Sequence, residues 1–311
     1  PQLMQSSVII IAMYFCLSIF RYKDTVNTLQ PVLKKLGIWF LHNAPNDHEL
    51  LRLAEAHNGW FTADSVKTAF KAIGESLGED QVNQWLLNYK RPDSVERDSG
   101  KRVGLILAGN LPLVGFHDIL CALVTGHNVA IKASSVDTVL PKRVVHEIEN
   151  IEPKLKGRVV FTEGKLGTID AVIATGSSNS MRYFDAYFGH LPHLFRAQRT
   201  GVAVLDGLES EDELKALGDD MFHHFGLGCR STTKVFLPKD FDLDRCFGAW
   251  VAWGDLAMNN KYANNYDYHK AIWLLNRNDL IENGFLLVKE DDQWISPVGS
   301  LFIERYDKID Q

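Results

Sequence analysis

The 311-residue chain has little that would staple it, anchor it or bind it to nucleic acid. Its four cysteines, Cys16, Cys121, Cys229 and Cys246, are far apart and form no C-x-x-C pair. That spacing excludes a disulfide framework and a structural zinc site, and points to the reducing cytoplasm. Basic residues are not in excess: 33 Lys and Arg stand against 39 Asp and Glu, for a net charge of −6. No clustered basic surface of the kind a nucleic-acid partner requires is expected. Long apolar runs are scarce. Val8 to Phe20 carries no charge and is followed by Arg21 and Lys23, but a membrane span needs about 20 residues, so no stable span is expected. The run also lacks the basic flank and small-residue cleavage site of a secretion signal. With the chain starting at Pro1, it reads either as an apolar segment docked on the fold or as the product of a non-native start.

Several catalytic signatures are missing as well. The chain has no G-x-G-x-x-G, no Gly-Lys-Ser/Thr loop, no H-E-x-x-H and no G-x-S-x-G. His223 and His224 are neighbours, so on a helix they point about 100° apart and do not chelate one ion together; no metal is expected.

What is present is the composition of an ordinary globular protein, 46% hydrophobic and 23% charged, in a chain long enough for two domains. Residues 25–41, 47–57, 62–77 and 81–89 read as amphipathic helices, with Thr62 as a cap. The polar stretch from Arg91 to Gly100 reads as a connector. Short apolar strands and helices then alternate. Strands are expected at 103–107, 128–132, 159–161, 171–174 and 201–205, with helices at 113–123, 140–148 and 179–188 between them. That alternation predicts a parallel α/β sheet with helices on both faces. A helix at 211–225, a strand at 232–237, a further segment at 240–255 and a last strand at 300–305 suggest a second α/β unit.

Four segments carry candidate chemistry. Cys229 follows Phe225-Gly226-Leu227-Gly228 and precedes Arg230-Ser231-Thr232-Thr233. Glycine frees the backbone and removes side-chain cover, so a substrate carbonyl can reach such a thiol, and a stabilised thiolate attacks it. The alternative is a small buried residue in a helix-to-strand turn. Asn110, in Leu107-Ala108-Gly109-Asn110-Leu111-Pro112, lies where a strand gives way to a helix; its amide either stabilises an oxyanion or caps a turn. Lys132 ends a strand and either contacts a ribose or phosphate or is a solvated charge. Thr175, Gly176 and Ser177 form a strand-to-helix turn that either binds phosphate or only caps the helix. Tyr262 to His269 is rich in amides and aromatics and reads as a site wall or a surface loop.

In this order the segments resemble the aldehyde dehydrogenase superfamily, and within it the LuxC-type acyl-CoA (fatty acyl) reductases. The runs that carry the resemblance are GLILAGNLPLVGFHDIL, HNVAIKASS, DAVIATGSSNSMRYF, HHFGLGCRSTTKVF, KYANNYDYHKA, NGFLLVKEDD and SPVGSLFIERY, over about residues 50–305. The resemblance implies a Rossmann-type parallel-sheet domain plus a second α/β catalytic domain. Residues 1–24 would be an apolar N-terminal segment, 25–205 a helical part with the nicotinamide-cofactor-binding domain, and 206–311 the catalytic-cysteine domain. It implies Cys229 as acyl acceptor, Asn110 as oxyanion donor, Lys132 on the cofactor ribose, and Thr175, Gly176 and Ser177 over the pyrophosphate. Hydrolytic members carry a general-base glutamate in an E-L-G-G-K motif some thirty residues before the cysteine; residues 192–204 here contain none. The expected activity is therefore NADPH-dependent reduction (NADH being the alternative) of an acyl-CoA or acyl-carrier thioester to an aldehyde. A cysteine-dependent acyltransferase or thioesterase is the rival reading. Family members continue beyond Ser296-Pro297-Val298, so the resemblance also implies a C-terminally incomplete catalytic domain, and it leaves a homo-oligomer open.

Overall fold

The computed structural model describes residues 25–87 and 100–308, so the Val8–Phe20 run and residues 91–99 of the connector lie outside the described residues. The described chain divides into two compact units, one ending at Gln198 and the next starting at Arg199.

Unit 1 opens with helices whose starts the sequence sets. α1 (Thr25–Ile38) runs into a π-helical turn, Trp39–Asn43. α2 (His48–His57) starts on Asp47, whose carboxylate accepts the Leu50 N–H at 3.0 Å. α3 (Ala63–Ser76) starts on Thr62, whose hydroxyl accepts the Ser65 N–H at 3.2 Å. Such caps satisfy amides that have no partner within the helix. α4 (Glu79–Leu87) follows. Phe40, fully buried, ties these helices to the rest of the unit. Its ring centroid lies 5.6 Å from that of Phe70 and, edge-on, 5.4 Å from that of Phe116.

Strands β1 (Arg102–Ile106), β2 (Asn128–Lys132), β3 (Val159–Phe161), β4 (Ala171–Thr175) and β5 (His193–Arg196) form a parallel sheet in the order β3-β2-β1-β4-β5. Successive side chains point to opposite faces. Leu105, Val129, Ile131 and Ile173 meet α5 (Phe116–Val124) and α6 (Val139–Ile151) in one cluster. Ala130, Val172 and Ala174 meet Phe184 and Phe188 of α7 (Ser178–Phe188) in another. A sheet covered on both faces needs apolar strands, which is why β1 to β4 read as short hydrophobic runs.

Unit 2 has a sheet in the order β6-β7-β10-β9-β8, formed by β6 (Gly201–Val204), β7 (Thr232–Pro238), β8 (Ile281–Glu282), β9 (Leu287–Glu290) and β10 (Ser300–Tyr306). All its pairings are parallel except β8 with β9. α8 (Glu211–Phe222) begins with a capping box between Ser210 and Glu213. The Trp250 indole N–H, at the end of α9 (Asp244–Trp250), donates to the Leu214 carbonyl at 2.8 Å and fastens α9 to α8. α10 (Asn260–Leu275) packs Tyr266 and Trp273 against Leu287 and Phe302.

The structure departs from the sequence expectations at several points. The strand at Gly201–Val204 pairs with β7, so the change from one sheet to the other falls after Gln198, ahead of the boundary expected at 205. The helix expected over 113–123 starts only at Phe116, because Leu113 has φ 57°, outside the helical region. The helix expected over 211–225 ends at Phe222. Residues 262–269, read as a wall or a surface loop, lie within α10. The short strands β5, β8 and β9 were not anticipated; β5 is four residues long, starts with His193 and ends with Arg196, so no apolar run marks it.

Phe40→Ala should lower the unfolding free energy by about 3–5 kcal/mol, the usual cost of emptying a buried aromatic site. Ile38→Ala, at a position 50% exposed, should change it by less than about 1 kcal/mol. Urea unfolding of both variants measures the contrast, and equal losses would contradict Phe40's place at the centre of the unit.

Candidate active site

In unit 1 the strands finish level with one another. Ile106 of β1 is in register with Lys132 of β2 and with Ala174 of β4. From β1 the chain steps to β2 and β3 on one side, then returns to β4 and β5 on the other. The switch point therefore lies between β1 and β4, and in open α/β sheets ligands bind outside the strands' carboxyl ends there. The loop after β1 carries Asn110, and the turn after β4 is Thr175-Gly176-Ser177. Lys132, exposed, ends β2 one strand away. The structure thus brings four of the sequence candidates and the Asn110 loop to one sheet edge.

Each loop is held by identifiable bonds. The Ser177 hydroxyl accepts the Ser180 N–H at 3.3 Å and caps α7. The Gly176 N–H donates to the Arg196 carbonyl at 3.1 Å. A Cβ on Gly176 would stand 2.9 Å from the Ser180 Cβ, so only glycine lets the turn approach the helix this closely. Asn110, half-buried, does not directly precede a helix as the sequence suggested; the chain turns through Leu113 before α5 begins. The Leu113 N–H donates to Asp137 Oδ2 at 3.2 Å. Asp137 is buried, and burial pushes its pKa up to about 7 against the opposing pull of the Leu113 and Leu140 N–H groups. Asp137 Oδ1 has no hydrogen-bond partner among the described residues.

A further pair at this edge was missed by sequence reasoning. Arg196 ends β5 in register with Thr175. Its Nη1 donates to both carboxylate oxygens of Asp118, on α5, each at 2.8 Å. Burial raises the Asp118 pKa, and the Arg196 guanidinium pulls it back. Nothing in the local sequence pairs two residues that are so far apart in the chain.

In unit 2, Cys229 sits on a turn that joins α8 to β7. After α8 the backbone enters the left-handed region at His224 (φ 51°), Phe225 (φ 60°) and Gly226 (φ 71°). Glycine takes this conformation at no steric cost; the two residues before it pay on the order of 1–3 kcal/mol each. The turn then closes in both directions. The Ser231 N–H donates to the Gly228 carbonyl at 3.0 Å, and the Gly228 N–H donates to Ser231 Oγ at 3.2 Å. Cys229 lies between them and is exposed, whereas Cys121 and Cys246 are buried. Burial pushes the Cys246 thiol up to about 12, which leaves it inert as a nucleophile. Burial also lowers the His224 pKa, so its imidazole is held neutral. A cleft beside the turn is lined by Phe222, Phe225, Gly226, Tyr262, Pro297 and Val298. Tyr262 therefore forms wall, as part of a helix and not of a loop.

Among the described residues no group of three or more His, Cys, Asp or Glu side chains is placed to hold a metal ion, and no helix is long and apolar enough to cross a membrane.

No protein-family model and no curated protein sequence matches the chain. Solved structures do. A mutant of aldehyde dehydrogenase C from Pseudomonas syringae, solved with NAD+ and octanal, is 13% identical with a TM-score of 0.69, over 98% of this chain and 73% of that one. A putative aldehyde dehydrogenase from Burkholderia cenocepacia gives a TM-score of 0.68 at 13% identity, over 98% and 75%. Lactaldehyde dehydrogenase from Escherichia coli gives 0.67 at 13% identity, over 93% and 70%. The chain has the α/β fold of these aldehyde dehydrogenases.

Iodoacetamide applied to the folded protein should alkylate Cys229 and leave Cys121 and Cys246 unmodified until denaturant is added, as peptide mapping will show; prior labelling of Cys246 would contradict the burial described. A second outcome concerns pH. The Asp137 carboxyl titrates near 3.8 when unfolded and near about 7 when folded, so the folded chain holds this proton more tightly and loses stability as pH rises between those values. Asp137→Asn, which cannot ionise, should gain on the wild type by about 2–3 kcal/mol between about pH 5 and about pH 8. Urea unfolding at the two pH values measures that gap, and a constant gap would show that the carboxyl is not raised.

Proposed function

We propose that this chain reduces an acyl thioester, of CoA or a carrier protein, to the aldehyde through an S-acyl intermediate on Cys229, with NADPH as the reductant. The observation that carries the reading is the single exposed cysteine among the three described, set on a strained, glycine-flanked turn in a chain with the aldehyde dehydrogenase fold. The NAD+ in the P. syringae aldehyde dehydrogenase C structure favours a nicotinamide cofactor, and free thiols suit the cytoplasm.

The edge of unit 1 fits such a cofactor. Gly176 keeps its turn tight against α7, a helix N-terminus favours phosphate, and Arg196 holds a buried nitrogen without an acceptor. Lys132, Thr175, Gly176 and Ser177 would hold the dinucleotide. When bound, it supplies the hydride that takes the acyl carbon to the aldehyde level.

The protein's own part begins with the Cys229 thiolate, which adds to the thioester carbonyl carbon. The oxyanion formed is the group that the resemblance assigns to Asn110, with the Cys229 N–H as second donor. The bond to the departing thiol breaks, and the thiolate released takes a proton from solvent. After reduction, Cys229 carries a thiohemiacetal; its C–S bond breaks, aldehyde leaves and the thiolate is restored. Residues 192–204 contain no glutamate to activate water. Hydrolysis of the S-acyl enzyme is therefore slow in this reading, and reduction prevails.

Protein mixed with acyl-CoA and NADPH, with NADH in parallel, should consume the nicotinamide and yield trappable aldehyde, while Cys229→Ala abolishes both. Aldehyde formed by the Cys229→Ala chain would sink the proposal. Thiol release from acyl-CoA without nicotinamide would replace it with an acyltransferase or thioesterase.

A further inference from the structure

Arg196 is mostly buried, its side chain 14% exposed. It spends Nη1 on both oxygens of Asp118, which is buried too. Its Nη2 is buried and has no hydrogen-bond partner among the described residues. A buried charged donor left unpaired is costly, and buried polar groups nearly always have an acceptor. A cation needed only to neutralise Asp118 would not require this second donor. The residue's placement suggests what the donor serves. Arg196 closes β5 at the carboxyl edge of unit 1, in register with Thr175. Its carbonyl receives the Gly176 N–H and so pins the turn that leads into α7. The side chains of Arg196 and Thr175, being register partners on adjacent strands, lie on the same sheet face. Asp118 sits in the first turn of α5, the helix that follows the Asn110 loop. The ion pair therefore ties the helix that follows the β1 loop to the end of β5, one strand beyond the switch point.

We propose that Arg196 is a binding residue for the dinucleotide, with Asp118 holding its guanidinium in place and Nη2 donating to an oxygen of the ligand. The inference rests on the reading of unit 1 as a nicotinamide-dinucleotide domain. An arginine suits the role because its fork lets one nitrogen serve the carboxylate while the other serves the ligand. A lysine offers a single point charge, which Asp118 would occupy.

Arg196→Lys keeps the charge opposite Asp118 and removes the second donor. NADPH and NADH titrations of the full chain, read by quenching of tryptophan fluorescence, should show binding by the wild type and a loss of about tenfold or more in the variant, at an unchanged melting temperature. Should Arg196→Lys melt early, Asp118→Asn combined with Arg196→Gln removes both charges together and should show the same loss. A folded variant of either kind that binds as tightly as the wild type overturns the proposal. The wild-type chain gives a check that needs no variant: NADPH should slow amide exchange in peptides covering Asp118 and Arg196, and unchanged exchange there would also overturn it. If the wild type binds neither NADPH nor NADH, what fails is the dinucleotide reading itself.

Discussion

Hydrogen bonding of β1 to β2 on one side and to β4 on the other fixes where the loops of unit 1 emerge, and the rest of that unit follows from it. The three strands reach this edge level, with Ile106 of β1 in register with Lys132 of β2 and Ala174 of β4. Parallel strands connect only by long crossovers, so every crossover starts at the same edge. The Asn110 loop, Lys132 and the Thr175 turn are neighbours because they are the first residues of those crossovers. A slip of one residue in β1 would exchange its two faces and displace Leu105 from the cluster it shares with Ile131 and Ile173. Core packing therefore sets the register, and the register sets the positions of the candidate binding residues.

In unit 2 the constraint is local and costly. His224 and Phe225 occupy the left-handed region in succession, which neither favours by itself. Surrounding packing holds them there. Phe222, just before, packs its ring against Trp250, Trp253 and Phe285, and the Phe225 ring lies 6.2 Å from that of Tyr262. The reward is an abrupt end to α8, so that the chain makes one tight turn before β7. That turn places Cys229 outside the core while β7 immediately re-enters it, with Thr232 and Lys234 buried.

Buried charge is the second recurring theme. Asp118 with Arg196, and Asp137 on the Leu113 N–H, lie beside the loops of unit 1. In unit 2 the Lys234 ammonium, 1% exposed, donates to Glu304 at 2.5 Å and to the Asp291 carbonyl at 3.1 Å. It also lies over the rings of Phe236 and Trp294. Such groups add little net stability, since removing them from water costs about as much as pairing returns. They do fix geometry, because a buried ion holds its partner in one arrangement. Asp118–Arg196 is of this kind: it fixes the start of α5 relative to the end of β5.

Much of this could be read along the chain. The strands at 128–132 and 159–161 fall where their apolar runs put them, because a sheet buried on both faces demands such runs. Asp47 and Thr62 start their helices because a capping side chain acts on amides two or three residues away. The Gly-Leu-Gly-Cys run marked a backbone opening next to a thiol for the same local reason. The sequence by itself determined these features, since each depends on neighbours in the chain. Only the tertiary structure decided that Leu113 would turn before α5, that His224 and Phe225 would end α8, and that 262–269 would be helix packed on a cleft. It alone joined Asp118 to Arg196 and raised Asp137. Those outcomes depend on burial and on contacts between residues remote in sequence, where desolvation and packing outweigh local preference.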